Sequence, residues 1–268
     1  MRIKAINYGI AVLAGLAAFT ACNQRSDTKD TSYQTATADT MAYEYRTYTK
    51  YSKNLIKTAE TTDTAFFTVS YPEFADSAVN RFILTSLLGD DTATVAHTAQ
   101  VFIGEFDNFH KSDPFPRIWT SESHAKVYQL TPSYLGLAIN VSTYTGGAHG
   151  NYATVFRHYD IANRRTFTLD DVVTKQYQNE LNAVAERYFR KQENLRVNEA
   201  LEDRYFFDQG RFSLPDNFAL EQDSILFLYN IYEIKPYVDG QTELRVPYSD
   251  IERLLTDRAT HIVSELNK

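Results

Sequence analysis

The middle of the chain has the alternating pattern of a half-buried β-strand. In residues 134–144, large apolar residues stand at every second position, with small or polar residues between them. The apolar positions are Leu135, Leu137, Ile139 and Val141. Because successive side chains of a strand point to opposite faces, this pattern predicts a sheet with one better-buried face. Turn signals separate this run from two more β-branched and aromatic runs, 125–130 and 152–159, so we expect an antiparallel meander.

A smaller unit is predicted ahead of this β region. Residues 65–71 form an apolar run that predicts a strand, which we expect Pro72 to end. Helical spacing of apolar residues then predicts helices over 78–87 and 95–109, with Asp76 or Ser77 able to cap the first. One strand and two helices therefore form a small N-terminal α/β part.

Helical and strand patterns also follow the meander. They cover residues 177–188 (helix), 224–229 and 243–246 (strands), and 251–266 (helix). Helices thus gather towards the two ends of the chain, with most strands between them. This order predicts an α+β fold in which an antiparallel β-sheet meander packs with helices.

The first 22 residues have the layout of a secretory signal. Arg2 and Lys4 precede a short apolar stretch, and small residues precede Cys22, the only cysteine. The apolar stretch is too short to cross a bilayer, which takes about 20 apolar residues. The segment resembles a bacterial lipoprotein signal peptide, which implies that Cys22 becomes the mature N-terminus and carries the lipid. The alternative is an ordinary secretory signal with a coincidental cysteine.

These features divide the chain into four parts. Residues 1–21 are predicted to be a signal peptide, and residues 22–60, which are polar and lack periodicity, a flexible tether. Residues 61–115 are the small N-terminal part, and residues 116–268 the C-terminal domain. We expect the protein to be exported and anchored by the lipid in the bacterial cell envelope, facing the periplasm or the cell surface.

Composition and charge exclude several classes of function. With Cys22 lipidated no free thiol remains, so thiol nucleophiles, redox pairs and thiolate metal sites are excluded. The histidines lack metal-ligand spacing, and no phosphate loop or dinucleotide fingerprint occurs, so we expect neither a metal nor a cofactor. The net charge of −7 disfavours nucleic acid and anionic membrane surfaces as partners, and it suits a cationic partner.

Several motifs in fixed order carry a resemblance to a known family. Residues 144–150 read YTGGAHG between two predicted strands, and residues 232–240 read YEIKPYVDG after a third. FTLDD at 167–171 lies between them, and LRVPY at 244–248 follows. In this order they resemble the C-terminal extracytoplasmic domain of RsiV-like anti-sigma factors, which also precedes the catalytic domain of PdaC-type peptidoglycan deacetylases.

An upstream segment, with YPEF at 71–74 followed by AVNRFI at 78–83, is similar to the smaller domain that usually precedes the C-terminal domain in that family. The resemblance implies recognition of a lysozyme-like protein, as in RsiV-like sensors, or of a peptidoglycan-related glycan. The deacetylase chemistry lies in a separate domain, and the sigma-binding segment has no counterpart in this chain. Neither activity is therefore implied.

Candidate ligand-binding residues cluster in the two longer motifs. They are Tyr144, Gly146, Gly147, His149, Asn151, Tyr232, Glu233 and Tyr237. The glycines permit a tight loop, and the tyrosines, with Tyr152, join apolar area to a polar tip as a stacking surface for sugar or protein does. His149 could contact a ligand, act as a general base or make a structural hydrogen bond. We expect Glu233 to be its partner in space.

Three functions remain open at this point. The first is a lipid-anchored envelope protein that binds a lysozyme-like protein or an envelope glycan rather than catalysing a reaction. The second is an envelope hydrolase or carbohydrate-active enzyme that uses His149 and Glu233. The third is a structural envelope component without a dedicated ligand. An enzyme should show a concave pocket with a paired, perturbed titratable group, whereas a protein-binding module should show an exposed aromatic patch.

Overall fold

A six-stranded sheet contains the predicted meander. The computed structural model describes residues 41–57, 61–112 and 117–268. The strands, adjacent in chain order, are β1 (Tyr43–Lys57), β2 (Thr62–Phe74), β3 (Thr120–Thr131), β4 (Tyr134–Tyr144), β5 (Asn151–Asp160) and β6 (Arg165–Thr166). All neighbours pair antiparallel except β2 and β3, which run parallel. The predicted α+β class with an antiparallel meander is confirmed.

Two helices make the crossover between the parallel strands. They are α1 (Ser77–Leu88) and α2 (Val95–His110). The Asp76 side chain accepts from the Ala78 backbone N–H at 2.7 Å and caps α1 as predicted. Buried residues of α1, such as Val79 and Ile83, pack on Leu135 and Leu137 of β4, so the helices cover one face of the sheet.

A second sheet lies on the other side of the large one. It has the order β7 (Phe218–Leu220), β8 (Ser224–Tyr229) and β9 (Thr242–Pro247). Every residue of β8 is buried. Leu226 and Leu228 of β8 pack against Phe156 of the large sheet. Ile225 and Phe227 point to the other face and share a core with helices from the C-terminal half of the chain. The small sheet is therefore a middle layer, covered on both faces.

Three helices cover the face of the small sheet that lies away from the large sheet. They are α3 (Leu169–Val172), α4 (Gln178–Gln192) and α5 (Asp257–Leu266). The predicted helix entry at α3 is a capping box: the Asp171 carboxylate accepts from the Thr168 backbone N–H at 2.8 Å. The helical pattern after residue 251 divides into a short 3₁₀ turn, Glu252–Leu254, followed by α5. No helix in the described part of the chain is long and apolar enough to cross a membrane.

The structure corrects three sequence predictions. Residues 43–57, predicted as the end of the tether, form the edge strand β1, which pairs along β2. Pro72 does not end its strand, because β2 continues to Phe74 with Pro72 opposite Tyr45. The boundary predicted between residues 115 and 116 falls inside one sheet, since β2 pairs with β3 across it. The signal peptide, Cys22 and the tether up to residue 40 lie outside the described residues.

Two asparagine side chains attach the small sheet to the free edge of β5. Asn217, just before β7, accepts from the Phe156 backbone N–H at 2.8 Å and donates to the Thr154 carbonyl at 2.8 Å. Asn230, just after β8, accepts from the Thr154 backbone N–H at 2.8 Å. These amides satisfy strand groups that no neighbouring backbone reaches, so the two sheets are held in fixed register.

A buried ion pair docks α5 against the large sheet. Arg258 donates to both oxygens of Asp160, at 2.8 and 2.6 Å, and also to the Ser133 carbonyl at 2.9 Å. Asp160 has no exposed surface. Burial alone would raise the pKa of the Asp160 carboxyl, but hydrogen bonds from Arg258 and Asn163 outweigh it, and the pKa is lowered. Asp160 is therefore buried in its ionised form.

His158 is a second buried polar group between the two sheets. Its Nε2 lies 2.7 Å from the Phe218 carbonyl and its Nδ1 lies 2.7 Å from the Tyr134 hydroxyl. Since the carbonyl only accepts, Nε2 carries the proton and Nδ1 accepts from the tyrosine. The ring also stacks on Phe218 at a centroid distance of 4.4 Å. Burial lowers the pKa of His158 to about 4.

Candidate functional site

The two motif loops lie side by side at one end of the structure. The first, residues 145–150, joins β4 to β5, and the second, residues 230–241, joins β8 to β9. Asn230 fixes the second loop to β5 through Thr154 and also accepts from the Gln241 side chain at 2.8 Å. One asparagine therefore ties both ends of the second loop to the strand that follows the first.

Four aromatic side chains from these loops form a continuous surface, which we call the aromatic patch. It consists of His149, Tyr152, Tyr232 and Tyr237. The His149 ring stacks on Tyr237 at 4.0 Å between centroids, and Tyr237 contacts Tyr232 at 5.6 Å. Tyr152 meets Tyr237 edge-on at 5.9 Å. Tyr237 is thus the central ring of the patch.

The aromatic patch faces solvent. Tyr232 is 51 % exposed and Tyr152 is 39 % exposed, and the neighbouring Val238 is 88 % exposed. His149 is exposed as well. A cluster of large apolar side chains that folding leaves in water is typical of an interaction surface.

Hydrogen bonds set the tautomer of His149. Its Nδ1 lies 3.1 Å from the Gly150 carbonyl, which only accepts, so Nδ1 is the donor. In the neutral ring Nε2 then accepts from the Tyr232 hydroxyl, 3.3 Å away. Both partners orient the ring within the aromatic patch, and neither is a carboxylate that would support a general base.

The glycines of the first loop have the backbone role predicted for them. Gly146 and Gly147 have φ values of 97° and 119°, which side-chain-bearing residues rarely adopt. A Cβ at Gly146 would come 3.5 Å from the Arg117 side chain. The Tyr144 hydroxyl donates to the Gly147 carbonyl at 3.0 Å and holds the turn. These three residues shape the loop that presents His149.

The predicted pairing of His149 with Glu233 is not formed. The Glu233 carboxylate accepts from the Asn230 backbone N–H at 2.9 Å, so it closes its own turn. No hydrogen bond or ion pair joins it to His149 within the described residues. Tyr232, with a φ of 66°, contacts His149 instead. The hydrolase hypothesis therefore loses the orienting group on which it depends.

Asn151 and Glu233 lie at the border of the aromatic patch rather than in it. Asn151 is exposed at the start of β5, opposite Thr143. Glu233 lines a cavity of about 440 Å³ that also contains Asp208 and Asp216. Among the described residues, no three or more His, Cys, Asp or Glu side chains come together in a way that could hold a metal ion. The site offers ring faces and hydroxyls for binding, and His149 and Glu233 form no acid–base pair among its described residues.

Sequence reasoning missed two supporting residues. Asn230 anchors the second loop, and Arg117 lies against Gly146 in the first. A lone asparagine after a predicted strand does not reveal which backbone it will reach. Arg117 comes from a distant part of the chain, so only the pairing of β3 with β4 brings it to the loop.

Fold and site together define a two-sheet α+β domain that presents an aromatic contact surface, and the comparisons with known proteins specify it further. Residues 167–249 match the family model described as a protein of unknown function, DUF3298. Residues 58–152 match the model described as Deacetylase PdaC. The first match contains the loop with Tyr232 and Tyr237, and the second contains the loop with His149. The family resemblance predicted from the sequence is confirmed.

Two crystal structures of DUF3298 family proteins have a similar fold. One, from Bacteroides fragilis NCTC 9343, is 24 % identical, with a TM-score of 0.67 over 85 % of this chain and 98 % of that one. The other, from Pseudomonas aeruginosa PAO1, is 18 % identical, with a TM-score of 0.65 over 82 % of this chain and 97 % of that one. No curated protein matches the chain. The likeness to the two structures extends to the fold.

Proposed function

We propose that this chain is a binding protein of the cell envelope whose aromatic patch recognises a lysozyme-like protein. The observation that carries the proposal is the exposed, mutually stacked set of rings at His149, Tyr152, Tyr232 and Tyr237. Tyrosine gives large contact area at low entropic cost and is enriched in protein interfaces. The rings are held against each other before any partner arrives, which reduces the ordering cost of binding.

Charge favours a cationic partner. The chain has a net charge of −7, and the carboxylates of Glu233 and Asp239 are exposed beside the aromatic patch. Opposite charge on a partner would accelerate encounter and align the two surfaces. Lysozymes of high positive charge fit this requirement. A free envelope glycan would use the same rings but would gain little from the acidic border.

The test is calorimetric titration of the full-length chain with hen lysozyme at two salt concentrations. We expect saturable binding that weakens as salt is raised. Tyr232→Ala should weaken it at least tenfold, or about 1.4 kcal/mol, because the most exposed tyrosine of the patch is lost. Tyr177→Ala is the matched control, since Tyr177 is 39 % exposed on another surface.

Each outcome has a defined meaning. Equal affinity of the Tyr232→Ala and Tyr177→Ala variants would move the interface away from the aromatic patch. Binding of muropeptides in place of lysozyme would favour a glycan receptor. If neither lysozyme nor muropeptides bind in the titration, the proposal is overturned and a structural role in the envelope is left.

We further propose that a lipid on Cys22 anchors the protein. The support is the signal-like run that ends at Cys22, in which basic, short apolar and small residues follow in order. Acyl chains contribute about 0.8 kcal/mol per buried CH₂, so two or more would hold the protein stably. In cells, the Cys22→Ser variant should leave the membrane fraction for the soluble fraction. An unchanged membrane share would contradict lipid anchoring.

A further inference from the structure

A basic groove lies between α1 and the β5–β6 edge, away from the aromatic patch. It has a volume of about 590 Å³. One face of α1 lines it along the whole helix, from Ser77 to Gly89. The opposite wall carries Arg157 from β5 and the residues around the β5–β6 turn. We call this feature the arginine groove.

Four arginines line the arginine groove, and no acidic residue is among the described residues that line it. They are Arg81, Arg157, Arg164 and Arg165. Arg164 pairs with Asp76 at 3.1 Å, and Arg165 makes a two-pronged pair with Asp171. The other two arginines form no ion pair among the described residues, in a protein whose net charge is −7.

These two arginines are Arg81 and Arg157, and Arg157 also lines the neighbouring cavity that contains Glu233. Within the described part of the chain, neither side chain forms an ion pair with a carboxylate. Among the described residues, the Arg157 guanidinium donates to the Phe156 carbonyl alone, at 3.1 Å, so most of its N–H groups have no acceptor in that part of the chain. A guanidinium presents a planar fork of donors that matches the geometry of a carboxylate or phosphate.

An aromatic surface lies beside these charges. Phe82 of α1 and Tyr159 of β5 contact each other at 5.0 Å between ring centroids, and both line the groove. Hydroxyls of Thr85, Ser86 and Thr166 line it as well. Tyr159 is only 5 % exposed and backs Phe82, so the partly exposed Phe82 ring is the aromatic face of the groove. A ring face for a sugar, hydroxyls for its hydroxyls and guanidinium groups for an oxyanion thus line one cavity of small-ligand size.

We propose that the arginine groove binds a small acidic sugar. Its carboxylate or phosphate would be held by Arg81 and Arg157, and its ring would rest against Phe82. Acidic side chains of a protein partner fit less well, because they lack the ring that the aromatic wall receives. The proposal is independent of the aromatic patch and of lysozyme recognition.

The test is titration of the ¹⁵N-labelled full-length chain, followed by amide shifts of α1 and β5. The probes are glucuronic acid and glucose 6-phosphate, with glucose and inorganic phosphate as references. We expect at least one acidic sugar to bind at least tenfold more tightly than glucose and than phosphate. The Arg81→Gln/Arg157→Gln double variant should lose at least tenfold of that affinity. Arg187→Gln, which changes an exposed arginine on α4, should leave it unchanged.

The comparison of probes identifies the source of the negative charge. Preference for glucuronic acid assigns the site to a sugar carboxylate, and preference for glucose 6-phosphate assigns it to a sugar phosphate. Inorganic phosphate binding as tightly as both would overturn the sugar component. Equal binding of glucose, unchanged affinity in the double variant, or no shift with any probe would overturn the whole proposal. A retained amide spectrum shows that the double variant is folded.

Discussion

Replacing Arg258 by Met should lower the free energy of unfolding by about 3–5 kcal/mol, because it leaves the buried Asp160 carboxylate without its counter-charge. Met keeps much of the aliphatic volume, so the loss reports the ion pair rather than a large cavity. Urea denaturation measures the difference. The Arg258→Met/Asp160→Asn double variant should recover part of the stability, since the uncompensated charge is then removed.

A surface arginine provides the control for this prediction. Arg253 pairs with Glu180 in a largely exposed position, so Arg253→Met should cost no more than about 1 kcal/mol. If Arg258→Met cost as little as Arg253→Met, the docking of α5 would not depend on the buried pair. Packing of Ala259 and Ile262 would then have to hold the helix alone.

The second large effect concerns pH and His158. The pKa of this histidine falls from 6.5 to about 4 on folding, so the unfolded chain binds a proton in that range and the folded protein does not. The contribution of His158 to the free energy of unfolding should therefore be fully present above pH 6.5 and be lost as pH falls towards 4. The size is about 3 kcal/mol, from 1.36 kcal/mol for each unit of the pKa difference.

Removing the titrating group isolates this contribution. His158→Gln should be less stable than the wild type at pH 7, and its stability should change less between pH 6.5 and 4. His97→Gln, at an exposed position, should keep the wild-type slope. Denaturant titrations at several pH values give the comparison. Parallel curves for wild type and His158→Gln would show that another group dominates this pH range.

Much of the fold was predictable because its central strands have strong patterns. The bounds of β4 match the alternating run at 134–144, and those of β8 match the apolar run at 224–229. β1 was not predictable in the same way. It is an edge strand whose buried residues are Ser52 and Ile56, so the aliphatic signal of a core strand is missing. A strand as short as β7 gives too few residues for any period to appear.

The candidate site was predictable in its residues more than in its geometry. The sequence placed His149, Tyr232 and Tyr237 in one site, and the structure brings their rings together. It did not indicate that Tyr232, rather than Glu233, would meet the histidine. Tyr232 has a φ of 66°, and such a value for a non-glycine residue has no clear signature in one sequence. The residue that contacts His149 is thus one position earlier than predicted, and it is a tyrosine rather than the carboxylate that the catalytic hypothesis requires.

The position of β1 at the sheet edge affects which fragments of the protein are expected to aggregate. β1 covers the edge of β2, where residues 64–72 contain no charged residue and include Phe66, Phe67 and Val69. A fragment that began after residue 60 would leave this row of backbone donors and acceptors open. Uncharged segments of high β-propensity at an open edge are templates for cross-β assembly. β1 is therefore a shield against aggregation, and a well-behaved fragment has to begin before Tyr43.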